Sequence, residues 1–169
     1  SILDIGTGSG CIAITLQLEL GAEVFACDIA TEAMDTAKRN ASLLGASIKF
    51  LQCDILQQQL ELAPMDILVS NPPYVTESEK KQMQPNVIDY EPAGALFVSD
   101  QDPLIFHKRI ASLGQDLIKP GGKLYFEINE KFGSAIKELL GNLGYDYVKV
   151  IKDIHGKDRF AIAIWQPTN

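Results

Sequence analysis

Ile2-Leu3-Asp4-Ile5-Gly6-Thr7-Gly8-Ser9-Gly10 decides how this chain folds. Three apolar residues around one acid make a short core strand. Glycine then recurs at every second position, and Cys11–Leu20 continues with a helical period. Glycines so spaced permit positive φ and let a ligand lie directly against the backbone. The turn leaves the carboxyl end of a strand, where open α/β sheets bind their ligands. Its spacing is Gly-x-Gly-x-Gly, not the Gly-x-Gly-x-x-Gly that seats a pyrophosphate on a helix N-terminus.

Outward from this stretch, apolar runs alternate with helix-period segments, which implies parallel strands joined by crossover helices. Strands are expected at Glu23–Asp28, Ile48–Cys53 and Asp66–Ser70, with a helix from about Glu32 to Leu44. Thr31 is its expected N-cap, and Gly21 and Gly45 are expected helix stops. Residues 75–101 show no period and read as a functional loop. Asp102-Pro103 predicts a helix start, the helix reaching about Ile118. Lys119-Pro120-Gly121-Gly122 turns into a strand at Lys123–Ile128, and a helix follows at about Lys131–Leu143. Tyr145–Lys152 and Arg159–Trp165 flank a hairpin turn at His155-Gly156-Lys157-Asp158. The fold class is α/β, a mostly parallel sheet with an antiparallel pair at one edge.

The 169 residues suit one domain with a core that needs no staple. The net charge of -7 lies mainly in residues 1–70, with nine acidic and three basic residues, against thirteen and twelve in 71–169. Such a balance lacks the footprint of a protein that grips nucleic acid by its phosphates. Cys11, Cys27 and Cys53 cannot all pair and each lies in an apolar run. They read as buried thiols of a reducing, cytoplasmic compartment. No stretch approaches the ~20 apolar residues of a membrane helix, so no membrane partner is expected. The chain opens without Met inside a core strand, as a fragment lacking an N-terminal part would.

Asp28 ends the second strand, eighteen positions after Gly10. A carboxylate there can accept hydrogen bonds from both hydroxyls of a ribose. Asp54-Ile55 ends the third strand at the corresponding place and could hold an adenine edge and face. Gly6, Thr7, Gly8, Ser9, Gly10, Asp28, Asp54 and Ile55 therefore outline a nucleoside cofactor site. S-adenosylmethionine suits it best, because the turn offers no dedicated phosphate site and no lysine.

Asn71-Pro72-Pro73-Tyr74 follows the fourth strand. Two prolines fix φ and expose carbonyls that no nearby amide can claim, and Asn offers both a donor and an acceptor. A planar NH2 group can give one hydrogen to the Asn71 side-chain oxygen and the other to the Pro72 carbonyl, with Tyr74 against its plane. Holding both hydrogens favours a pyramidal nitrogen and aims its lone pair at a methyl donor, which is catalysis by orientation and electrostatics. Asn71, Pro72 and Tyr74 are the candidate catalytic residues. Asn71, Pro72, Pro73 and Tyr74 are the candidate substrate-binding residues. The tetrapeptide alone does not separate a glutamine or asparagine amide from an adenine or cytosine amine.

Asp4 to Gly10, Asp28, Ser70 to Tyr74, Tyr90-Glu91-Pro92 with Ala95-Leu96, Pro120-Gly121-Gly122, Glu127-Ile128, and Lys152-Asp153 through Gly156-Lys157-Asp158-Arg159 occur in one order. In this the chain resembles the bacterial release-factor glutamine methyltransferases. The resemblance implies a Rossmann-like class I methyltransferase fold of seven strands in the order 3-2-1-4-5-7-6, the last antiparallel, with helices on both faces. It implies methyl transfer from S-adenosylmethionine to the side-chain amide nitrogen of the glutamine in the Gly-Gly-Gln motif of peptide chain release factors. It also implies that Gly6 to Gly10 and Asp28 bind the cofactor, that Asn71 touches both cofactor and substrate, and that a small helical substrate-recognition domain precedes residues 1–169. Asn129 where Gly is usual, Phe97-Val98-Ser99 and Ile55 depart from the family pattern. The alternative is an adenine N6-methyltransferase on DNA or RNA, which would need a basic base-reading segment. A non-catalytic cofactor-binding scaffold is a third reading, and the amine-orienting tetrapeptide argues against it.

His107 reads as packing, His155 as a solvated turn residue, and residues 77–81 as an exposed helical turn. No His, Cys and carboxylate cluster has metal spacing, and no Ser-His-Asp or Cys-His arrangement is expected. Glu127 is expected to play a structural hydrogen-bonding role near the site. Glu91 divides evenly between substrate contact and loop support.

Overall fold

The computed structural model describes residues 1–80 and 97–167. Tyr90-Glu91-Pro92 and Ala95-Leu96 lie outside the described residues. The strands are β1 (Ile2–Ile5), β2 (Val24–Asp28), β3 (Ile48–Gln52), β4 (Met65–Ser70), β5 (Val75–Thr76), β6 (Phe97–Val98), β7 (Ile118–Glu127), β8 (Tyr145–Lys152) and β9 (Asp158–Trp165). The helices are α1 (Cys11–Leu20), α2 (Thr31–Leu44), α3 (Glu77–Lys80), α4 (Ile105–Leu117) and α5 (Gly133–Asn142).

Seven strands form one sheet in the order β3-β2-β1-β4-β7-β9-β8. The first five are parallel, and β9 runs antiparallel to both neighbours. This is the expected order once the two-residue pair β5–β6 is set aside. That pair is a correction, since residues 75–101 were read as a loop without period, whereas the one-turn α3 lies where a helical turn was expected at 77–81. Thr76 and Glu79 explain the turn: the Glu79 carboxylate accepts from the Thr76 amide and hydroxyl, both at 3.1 Å, as in a capping box.

The period-2 pattern of the strands divides the core. Leu3, Ile5, Cys27, Leu68, Leu124 and Phe126 join Ile110, Leu113, Leu117, Ile136 and Leu140 of α4 and α5. Ile2, Val24 and Ala26 instead pack with Ala13 and Leu16 of α1. Helices therefore cover both faces, and Asp4, sharing the Ile2 face, points under α1.

Several boundaries differ from expectation. Thr31 is the first residue of α2, not its N-cap, because its hydroxyl accepts from Gln52 Nε2 (2.9 Å). The helix expected at Asp102-Pro103 begins at Ile105; Asp102 spends its carboxylate on Lys108 (2.6 Å). β7 starts at Ile118 rather than Lys123, with an irregularity opposite Met65–Ile67 that accommodates the Pro120-Gly121-Gly122 turn. Cys27 and Cys53 are buried, but Cys11 is exposed at the first turn of α1.

Candidate functional site

The parallel register assembles the site. Ile5 pairs with both Ser70 and Cys27, and Cys27 with Leu51. The residues that follow, Asn71, Gly6, Asp28 and Gln52, thus leave the sheet in one row. Ser70, 1% exposed, fastens the row by donating its hydroxyl to the Ile5 carbonyl at 2.6 Å. The glycine turn and the Asn-Pro-Pro-Tyr segment are therefore direct neighbours.

The turn is held from beneath. Gly6 and Thr7 amides both donate to the Cys27 carbonyl, at 2.9 and 3.0 Å. The Thr7 hydroxyl turns inward to Asp4 Oδ2 (2.7 Å), so it offers a ligand its backbone rather than its side chain. Gly6 and Gly8 have φ of +72° and +56°, and a Cβ at either would meet nothing within 4 Å. Backbone lies bare there, which is what close approach of a ligand requires. Gly10 differs: its Cβ would stand 3.1 Å from Ala37 Cβ and from Ile14 Cδ1. This third glycine serves the packing of α1 on α2.

Asp28 accepts from the Gly8 amide through Oδ2 and from the Ala30 amide through Oδ1, each at 2.9 Å. Each oxygen keeps a further lone pair for a ribose hydroxyl. Ile29, missed in the sequence, follows with 60% of its surface exposed beside this carboxylate. The signal was an apolar residue directly after a strand-ending acid, left exposed at the mouth of the row. Asp54 Oδ1 accepts from the Leu56 amide (3.0 Å), and Ile55 is buried in the core with its carbonyl bound by Arg109 Nε (2.9 Å). Asp54 and Ile55 thus shape the turn after β3. The groove of about 570 Å³ beyond it is lined by Leu51–Cys53 and Gln58–Leu62, and includes none of Gly6–Gly10, Asp28 or Asn71.

Asp4 has no exposed surface, and its Oδ1 meets no donor among the described residues. Burial pushes its carboxyl up to about 6; the Thr7 hydroxyl bond and the Ala13 amide, near it but outside hydrogen-bond geometry, only partly offset this, and nearby Asp28 adds to it.

In the tetrapeptide Asn71 is exposed, Pro72 is buried, and Pro73 and Tyr74 are half-buried. The Tyr74 hydroxyl donates to Glu127 Oε1 at 2.7 Å. Burial, then the Glu127 carboxylate, pushes the phenol up to about 12, so it remains a donor at neutral pH. Glu127 accepts this bond through its side chain, and its carbonyl also lies 3.0 Å from His107 Nε2. His107 is buried against Phe126, and burial lowers it to about 4, which keeps it neutral. Arg159 joins the hairpin to the site. Burial pulls its guanidinium down, but Tyr74 and Asp153 outweigh that and leave it raised. Asp153 in turn accepts from the His155 and Lys157 amides, which fixes the hairpin.

Among the described residues no group of three His, Cys, Asp or Glu could hold a metal ion, and no helix is long and apolar enough to cross a membrane. The family described as "methyltransferase small domain" matches residues 1–93, and the chain belongs to it. It is 51% identical over 164 residues to the release factor glutamine methyltransferase of Bacteroides thetaiotaomicron, covering 96% of this chain and 59% of that protein. It is 47% identical over 159 residues to the release factor glutamine methyltransferase of Flavobacterium psychrophilum, covering 94% and 56%. The chain therefore spans less than two thirds of these relatives. Among solved structures, a methyltransferase from Pyrococcus furiosus superimposes with a TM-score of 0.72 at 22% identity, covering 98% of this chain and 75% of that one. The fold is thus the Rossmann-like class I methyltransferase fold.

Proposed function

We propose that this domain transfers a methyl group from S-adenosylmethionine to the side-chain amide nitrogen of the glutamine in the Gly-Gly-Gln motif of peptide chain release factors. The observation that carries this reading is the paired register Ile5–Ser70, which sets the bare glycine turn beside Asn71-Pro72-Pro73-Tyr74. The names of the relatives point the same way.

The residues fit the cofactor. Gly6 and Gly8 leave open backbone, Asp28 keeps acceptor capacity for two ribose hydroxyls, and Ile29 can cover an adenine face. Thr7, Ser9 and Gly10 complete the turn, and Asp54, in the turn that Ile55 anchors in the core, borders the base side. Bound there, S-adenosylmethionine supplies an electrophilic methyl group on a sulfonium.

The chain's own residues do the rest. The Asn71 side-chain oxygen and the Pro72 carbonyl accept the two hydrogens of the glutamine NH2, which orients a weakly nucleophilic nitrogen and stabilises its developing positive charge. Proline rings at 72 and 73 limit the backbone freedom of this clamp. Tyr74, anchored on Glu127, closes one side. No strong base is required before attack, because the nitrogen becomes acidic only as the new bond forms.

The greater length of the relatives supports a division of labour within this proposal. Residues 1–169 bind cofactor and transfer the methyl group, while a helical segment outside them docks the release factor in the cytoplasm. Incubating the full-length protein with methyl-labelled cofactor and a release factor tests the reading. Label should enter the factor and be lost when its acceptor glutamine is changed to alanine; label that persists after that change would refute it.

A further inference from the structure

One buried amide outside the tetrapeptide is committed to the backbone that carries it. Asn129, 7% exposed, lies just beyond β7. Its Nδ2 donates to the Tyr74 carbonyl at 3.2 Å and to Glu79 Oε2 at 2.9 Å, while its Oδ1 accepts from the Lys131 amide at 3.0 Å. Both amide hydrogens are used. Exchanging Oδ1 and Nδ2 would set an acceptor against a carbonyl and a carboxylate, so the orientation is dictated. Glu79 is fixed in its turn by the Thr76 amide and hydroxyl and by Lys131 Nζ (2.6 Å). Burial pushes its carboxyl up, but bonds from Lys131, Thr76 and Asn129 outweigh this and hold it below its ordinary range, so it stays an acceptor.

We infer that Asn129 is a positioning residue for methyl transfer, holding the Tyr74 carbonyl so that the Asn71 and Pro72 acceptors meet the substrate amide already aimed. The inference rests on reading the tetrapeptide as an amide clamp. Tyr74 is tied at two separate points, its hydroxyl to Glu127 and its carbonyl to Asn129. With one tie alone the residue can pivot about it. With both, the φ-locked prolines transmit the fixed end back to the Pro72 carbonyl. Misplacing a reacting group by about 1 Å can lower a rate about 100-fold.

The test uses the full-length protein with Asn129→Ala, with Asn129→Asp, and with the double change Asn129→Asp and Glu79→Gln. The carboxylate at 129 keeps the acceptor for Lys131 but gives Tyr74 nothing and repels Glu79. In the double variant the amide nitrogen at 79 can donate to position 129, which relieves the repulsion there but gives up the acceptor of the Thr76 amide, and the Tyr74 carbonyl still lacks its donor. The expected result is a kcat on a Gly-Gly-Gln peptide about 10- to 100-fold lower in all three, with cofactor Kd little changed. The double variant should recover part of the Tm lost in Asn129→Asp but none of its kcat. A role in packing alone predicts that kcat returns with Tm, and that result would overturn the inference, as would Asn129→Ala working at the wild-type rate. Failure of the unsubstituted protein to methylate the peptide would instead remove the amide-clamp reading and this inference with it.

Discussion

Asp4→Asn removes the carboxylate that lies wholly buried beneath the glycine turn. The folded Asp4 carboxyl is raised from 3.8 to about 6. A raised acid favours its protonated form in the native state. Its stabilising contribution is therefore complete below 3.8 and is lost as pH rises through 6, the reverse of a salt-bridged carboxylate. At 1.36 kcal/mol for each pH unit between the two values, ionising Asp4 in place costs about 3 kcal/mol. By the same linkage about 1.4 kcal/mol of this should appear between pH 5 and pH 8. Asparagine has nearly the same shape, and its oxygen can still accept from the Thr7 hydroxyl. Whatever its NH2 gains or loses at the Oδ1 position does not titrate, so the pH dependence of the difference between the two proteins isolates Asp4. Urea unfolding from pH 5 to 8 measures that difference. The Asn variant should gain on the wild type steadily as pH rises. A flat difference, or one that moves the other way, would mean that Asp4 is solvated or paired and would refute the account of the turn's foundation.

The two glycines of the turn should separate by experiment. Gly8→Ala carries only the left-handed backbone cost of about 1–2 kcal/mol and should weaken cofactor binding more than it lowers Tm. Gly10→Ala adds a wedge against Ala37 and Ile14 and should lower Tm further; thermal melts with and without cofactor compare them. Tyr74→Phe leaves Glu127 Oε1 without its donor, so kcat should fall and cofactor Kd should not, with about 1 kcal/mol of stability lost. His107 has the sign opposite to Asp4. Its folded value of about 4 lies below 6.5, so the native state resists the proton and loses up to about 3 kcal/mol as pH falls across that window. His107→Gln should remove this part of the acid sensitivity, seen in urea unfolding from pH 7 to 5.

The fold was legible because its signals are local. Glycine at alternate positions after Ile2–Ile5, β-branched runs and helix-ending Gly21 and Gly45 each specify backbone within a few residues. The row of Asn71, Gly6 and Asp28 could be expected from three strand ends. The division of labour within the turn could not, because Gly10 differs from Gly8 only through Ala37, a residue on another helix. Thr7 and Ile55 looked available to a ligand in sequence, yet one bonds inward to Asp4 and the other is buried. Asn129 showed only as a departure from a family pattern. Its meaning lies in bonds across fifty and more residues, to Tyr74 and Glu79, which no periodicity encodes. Glu79 looked like part of a solvated helical turn for the same reason. Glu91 lies outside the described residues.

In the proposed reaction the glycine turn and the Asn71–Tyr74 clamp act together on a glutamine amide. Mass spectrometry of a release-factor peptide after incubation with the full-length protein and S-adenosylmethionine tests it most directly. One added methyl group is expected on the glutamine side chain of the Gly-Gly-Gln motif, lost in Asn71→Ala while that variant still binds cofactor. A peptide left unmodified, a methyl group on any other residue, or undiminished transfer by Asn71→Ala would contradict it.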